Sequence, residues 1–175
     1  MHKKQDAILT CKSSGIIPYT FLDGKLLFLL QKQITRGKTR NYGWNDFGGK
    51  KNNSNESLYE TACREFSEET NCLFYLKSND NPDYDDFTSN NNDEYTDFKT
   101  KMLRLYIGES IEYFKNRLNN KMSAYSKDTY ITFFMRVEYI NENEFPESED
   151  MHIKYQDRYK RTCKWFCCEE ILNLD

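Results

Sequence analysis

Apolar and polar stretches alternate along the chain so as to mark out a small set of elements. An apolar run from Ser14 reaches Leu22, Asp23 and Gly24 interrupt it, and a second run follows from Lys25 to Gln33. Asp-Gly between two apolar runs is a two-residue hairpin signal, because both positions accept a positive φ. From Glu56 to Thr70 the spacing changes to Leu58, Ala62 and Phe66, at i, i+4 and i+8, which predicts a helix with one buried stripe. Ser54 or Asn55 is placed to cap its start. Strands are expected over Cys72 to Leu76, over Lys101 to Ile107, and over Asp128 to Ile140, which is dense in Thr, Tyr, Phe, Ile and Val. Ser110 is placed to cap a helix carrying Ile111, Phe114 and Leu118. The end of the chain reads as a basic helix from Met151 to about Lys164, a strand at Trp165-Phe166 and a short helix from Glu169 to Leu172.

One stretch has no period. Residues 77–98 are about half Asn and Asp and are read as a surface insertion, with no structure assigned. Strands and helices otherwise mix without strict βαβ alternation, so the expectation is α+β or a mixed α/β sandwich. A chain of 175 residues suits a single domain over 1–175. Composition changes the picture in one respect. The mean hydropathy of −0.90 marks a polar sequence, and low aliphatic content alone would suggest disorder, but 13 Tyr and 12 Phe supply enough ring surface for a core. The net charge of −3 excludes a general nucleic-acid coat while leaving room for a local basic patch. The longest apolar run, Leu26 to Leu30, is too short to span a bilayer, and Met1 to Lys12 holds no apolar signal core. A cytoplasmic protein with six reduced cysteines and no membrane partner is therefore expected. With only His2 and His152, a site built on several imidazoles is excluded.

The chemistry concentrates in the first predicted helix. Glu65, Glu68 and Glu69 stand at i, i+3 and i+4 and share one face, where each like-charge pair costs a few tenths of a kcal/mol. Arg64 can reach Glu68 and relieve part of this. A hard divalent cation would relieve more, whereas a solvated acidic face is the alternative. Four of the seven glycines fall between Gly37 and Gly49, so backbone turns sharply or approaches something closely just before that helix.

The stretch Gly49-x6-Glu56-x7-Arg64-Glu65-Phe66-x-Glu68-Glu69-x-Asn71-Cys72 resembles the signature of the Nudix hydrolase superfamily, Gly-x5-Glu-x7-Arg-Glu-U-x-Glu-Glu-x-Gly-U, where U is a bulky apolar residue. The hairpin and Gly-Gly loop before it, and Lys164-Trp165-Phe166 with an acidic helix after it, extend the likeness over most of the chain. There are two departures. One extra residue separates Gly49 from Glu56, which leaves the reach of Glu56 open. Asn71 stands where the family has glycine, and Asn is the next-best residue for a left-handed helix end.

The resemblance implies a Nudix-fold α/β/α sandwich with a mixed β-sheet. It also implies hydrolysis of a phosphoanhydride bond in a nucleoside diphosphate linked to another group, with Mg²⁺ or Mn²⁺. Under it, Glu65, Glu68 and Glu69 would be metal ligands, with Glu56 and the carbonyl of Gly48 completing the shell. Arg64 would orient the carboxylates, and Glu65 would be a candidate base, alongside Glu147, Glu149, Asp150 and Asp157 from a later loop. Substrate phosphates could meet Arg36, Lys38, Arg40 and Lys50, and Trp44 or Tyr42 could stack on a base. Lys154, Arg158 and Arg161 form a basic stripe on the predicted helix, similar to the RNA-holding element of Nudix mRNA-decapping enzymes. Candidate substrates are thus the 5′ cap of mRNA, ADP-ribose and dinucleoside polyphosphates. A non-catalytic nucleotide-binding module and a homodimer are further options.

Overall fold

The Asp23-Gly24 turn organises the sheet. Strands β1 (Ser13–Leu22) and β2 (Lys25–Thr35) pair antiparallel with Leu22 opposite Lys25, and the two turn residues take φ of 49° and 74°. The computed structural model describes residues 11–35, 41–81, 93–118, 124–127, 129–145 and 159–174. Of these, 33–35, 41–42, 93–104, 124–127 and 159–160 are described by their backbone alone. Strand β2 also pairs with β3 (Asn41–Asn45) and β7 (Tyr159–Cys167). Strand β1 pairs antiparallel with β4 (Phe47–Lys50) and parallel with β6 (Tyr130–Arg136), and β5 (Ala124–Lys127) adds to β6. Among the described residues, one parallel pair among antiparallel ones makes this sheet of seven strands mixed, as expected.

Alternation along the strands separates two faces. Ile16, Leu29, Ile131, Phe133 and Met135 turn towards the buried cluster built by helix α1 (Leu58–Glu69), where Phe66 meets Phe47 and Phe114 edge-on. Ile17, Phe28, Leu30, Thr132 and Phe134 turn the other way and, with the terminal helix α4 (Cys168–Leu172), line a pocket. Helices thus lie on both faces, giving an α/β sandwich. Helix α1 is capped by Ser57 in a capping box with Glu60, and neither Ser54 nor Asn55 serves as its cap. Among the described residues, no helix is long and apolar enough to cross a membrane.

Several expectations are corrected. Residues over the expected strand Cys72 to Leu76 form helix α2 (Leu73–Ser78), because Asn71 and Cys72 both take positive φ, turning the chain so that a helix restarts. Leu73, Phe74 and Leu76 then bury together. The expected strand at Lys101 to Ile107 is part of one long helix, α3 (Asp93–Leu118). Ser110 does not cap it; Ser110, Phe114 and Leu118 form its buried i, i+4, i+8 stripe, and Ser110 Oγ lies 2.7 Å from Ser67 Oγ. Helices α2 and α3 therefore take up both ends of the 77–98 segment, whose residues 82–92 lie outside the described ones. The Asp128 to Ile140 strand is shorter, ladder pairing ending at Arg136. Finally, the expected basic helix is strand from Tyr159 onwards, running beside β2 from Thr35↔Tyr159 to Leu27↔Cys167. Its basic residues fit a helical spacing, but Arg161 and Trp165 bury with Thr162 exposed between them, a period of two that the open edge of β2 rewards.

Candidate active site

The four glutamates Glu56, Glu65, Glu68 and Glu69 divide into two groups. The first gathers on Arg64. Its Nε donates to Glu56 Oε1 at 2.7 Å, and its Nη1 donates to Glu65 Oε1 at 2.9 Å and Glu68 Oε2 at 3.1 Å. Its Nη2 donates to the Lys50 carbonyl at 2.9 Å, tying the helix to the strand that carries Gly48-Gly49. The extra loop residue is absorbed by Asn53, whose Oδ1 accepts from the N–H groups of Asn55 and Glu56 and returns Glu56 to the cluster. Asn71, at φ 52°, ends the helix in the left-handed region as read from the sequence.

The second group is interior. Glu69 is ion-paired with Arg161, which also donates to Gln31 Oε1 at 2.7 Å. Gln31 Nε2 donates both to Glu69 and, at 2.9 Å, to the main-chain carbonyl of Asp46.

The electrostatics follow the packing. Burial pulls Glu56 upwards, but Arg64 and the Asn52 N–H outweigh it and hold the carboxyl below its usual range. Glu65 is raised by burial, against the pull of Arg64. Burial pushes Glu69 up to about 8 in spite of Arg161 and Gln31. Around Arg64, three carboxylates face one guanidinium, which leaves the cluster acidic.

The two glycines have different reasons. A Cβ on Gly49 would fall 2.3 Å from Glu65 Oε1, so its absence keeps the space beside that carboxylate. A Cβ on Gly48 would lie 2.2 Å from Tyr130 Oη and 2.5 Å from Gly15 Cα. The close approach of the Gly15 and Ser14 backbone, with Tyr130 beside it, demands glycine there. Among the described residues, no three acidic, histidine or cysteine side chains already surround one point as the ligands of an ion do. The donor set still fits a hard divalent cation, being all oxygen, in excess negative charge, and left open at Gly49.

On the opposite face, the pocket has a volume of about 650 Å³. Phe28, Leu30 and Phe134 from the sheet and Ile171 and Leu172 beyond it supply apolar walls, and Trp44, Asn45 and Asp46 supply one side. Asp46 accepts from Tyr130 Oη and Thr132 Oγ1, each at 2.9 Å, and burial raises its carboxyl.

Sequence-predicted residues are only partly brought together. Glu56, Arg64, Glu65 and Glu68 converge; Glu69 turns inward; Lys50 contributes its carbonyl to Arg64. Arg36, Lys38, Arg40, Lys154, Arg158, Glu147, Glu149, Asp150 and Asp157 lie outside the described residues. Arg161, expected on a basic helical stripe as a possible RNA contact, is buried in a strand against Glu69. Asp46, Gln31 and Tyr130 were not singled out. An acid set between Trp44 and Phe47 on a glycine-rich edge was the available signal for Asp46.

No protein-family profile matches the chain. It is 42% identical over 191 aligned residues to an uncharacterised protein of Acanthamoeba polyphaga mimivirus, an alignment taking in 99% of this chain and 62% of that protein. The chain thus spans less than two thirds of the length of this relative. Among solved structures, a C. elegans Ap4A hydrolase binary complex is similar with a TM-score of 0.42 and 15% identity, covering 94% of this chain and 85% of that one.

Proposed function

We propose that the protein is a Nudix-type pyrophosphohydrolase acting on a nucleoside diphosphate linked to a second group. The observation that carries this reading is the gathering of Glu56, Glu65 and Glu68 on Arg64 beside Gly48-Gly49, in the order of the Nudix signature and, one extra residue before Glu56 apart, in its spacing. Glu65, Glu68, Glu56 and the Gly48 carbonyl would hold Mg²⁺ or Mn²⁺. When bound, such an ion neutralises phosphate charge and lowers the pKa of water. Glu69 would join that shell only by giving up Arg161, so it serves as an anchor for the end of α1.

The protein side of the chemistry is orientation and proton acceptance. Arg64 holds three carboxylates in register, and Glu65, raised by burial, is the base placed nearest the Gly49 space. The apolar pocket takes the nucleoside, its aromatic walls suiting a flat base. Arg36, Lys38, Arg40 and the Lys50 side chain would meet phosphates. The 5′ cap of mRNA stays a candidate substrate beside ADP-ribose and dinucleoside polyphosphates. Any RNA path would use Lys154 and Arg158 without Arg161.

The test is a turnover screen of capped RNA, ADP-ribose, dinucleoside polyphosphates and nucleoside triphosphates at millimolar Mg²⁺ or Mn²⁺, with Glu68→Gln as control. Turnover of one substrate that the control loses is the expected result. Nucleotide binding with no turnover of any would replace the reading with a non-catalytic binding module.

A further inference from the structure

We propose that Asp46 makes the apolar pocket selective for guanine, its carboxylate receiving the adjacent N1–H and N2–H donors of the base. The proposal deepens the nucleotide-hydrolase reading and takes the pocket as the nucleoside site from it.

Asp46 is the single charged side chain among the described residues that line the pocket. The rest of the lining is dominated by Phe28, Trp44, Phe134 and aliphatic side chains. Such walls bind a flat ring, and one buried acceptor group among them decides which ring is accepted. The carboxylate does not swing freely. Tyr130 Oη donates to one oxygen and Thr132 Oγ1 to the other, both at 2.9 Å, which fixes its plane. Its own main-chain N–H is a third donor, and a carboxylate with about four acceptor sites still has open capacity, which the two neighbouring N–H groups of a base would share.

Of the common bases, guanine alone presents two neighbouring N–H donors on its pairing edge. Adenine and cytosine set a donor beside an acceptor, and uracil sets one N–H between two carbonyls. A fixed carboxylate therefore repels a lone pair in three cases and pairs twice in the fourth.

The test is binding without metal, read by Trp44 fluorescence. The other tryptophan, Trp165, is buried with its indole N–H donating to the Ile140 carbonyl, away from the pocket. Wild type is expected to bind GMP and GDP about ten- to a hundredfold more tightly than AMP and ADP, with IMP, which lacks the N2 donors, in between. Asp46→Asn should level these differences while keeping its melting temperature within a few degrees. If that variant does not fold, the GMP to IMP ratio of the wild type decides. Equal binding of the two purines, a preference that survives Asp46→Asn, or no nucleotide binding at all would overturn the proposal. Guanine preference with no turnover would sink the hydrolase reading and spare this one; hydrolysis of adenine dinucleotides without guanine preference would do the reverse.

Discussion

Arg161 on β7 is ion-paired with Glu69 at the end of α1, 92 positions earlier in the chain, and both side chains are less than a tenth exposed. The pair joins the helix of the signature to the strand that closes over β2. Gln31 then extends the connection from Glu69 to the Asp46 main chain. One buried network thus links the end of α1 to the wall of the pocket.

Removing one partner of this pair should be costly. Arg161→Met leaves Glu69 buried without its cation, a change that destabilises by about 3–5 kcal/mol wherever Glu69 is ionised. Adding Glu69→Gln removes the second charge and should restore most of the loss. Urea unfolding of the two variants at pH 9 makes the comparison, and equal losses in both would refute the pairing.

Stability should also carry a pH signature of Glu69. Its carboxyl lies at about 8 in the folded chain against 4.5 for a free glutamate. Between those values the unfolded chain releases its proton first, so the folded state binds more protons and stability falls as pH rises. The contribution is full below about pH 4.5 and gone above about 8, with a slope of at most about 1.4 kcal/mol per pH unit. Glu69→Gln should lose this slope in urea titrations at pH 5, 6, 7 and 8. An unchanged slope would assign it elsewhere.

Much of this was legible locally, and what was not depended on distant partners. The hairpin, the helix of Glu65 and Glu68, and the left-handed Asn71 follow from short-range rules, and the structure keeps all three. The strand containing Arg161 was read as helix because its basic residues have helical spacing. Nothing near Arg161 says that Glu69 waits to receive it. Likewise, Lys101 to Ile107 suits a strand until Ser110, Phe114 and Leu118 pack against α1. Asp46 is polar in a run that suggests burial, and only the hydroxyls of Tyr130 and Thr132, over 80 positions away, explain how it is tolerated.

A divalent cation should stabilise the folded chain through the Arg64 cluster. With three carboxylates on one guanidinium there, millimolar Mn²⁺ should raise the melting temperature of the wild type. Glu65→Gln and Glu68→Gln should each blunt that rise. Arg64→Ala frees three repelling carboxylates, so it should melt lower without metal and gain more from adding it. A rise of the same size in every variant would place the ion elsewhere.

The two adjacent glycines should fail in different ways. Alanine at Gly48 drives its Cβ into Gly15 Cα and the Ser14 carbonyl as well as Tyr130, and backbone in a paired sheet cannot give way. Gly48→Ala should lose about 1–3 kcal/mol or more, and Tyr130→Phe should not rescue it because the backbone contacts remain. Alanine at Gly49 meets only the Glu65 carboxylate among its nearest neighbours, the end of a side chain that can turn aside. Gly49→Ala should therefore fold nearly as well as wild type while displacing Glu65 and cutting metal-dependent turnover. Thermal melts and turnover measured on both variants separate the two cases. A Gly49→Ala protein with full turnover would show that the position of Glu65 does not matter to the chemistry.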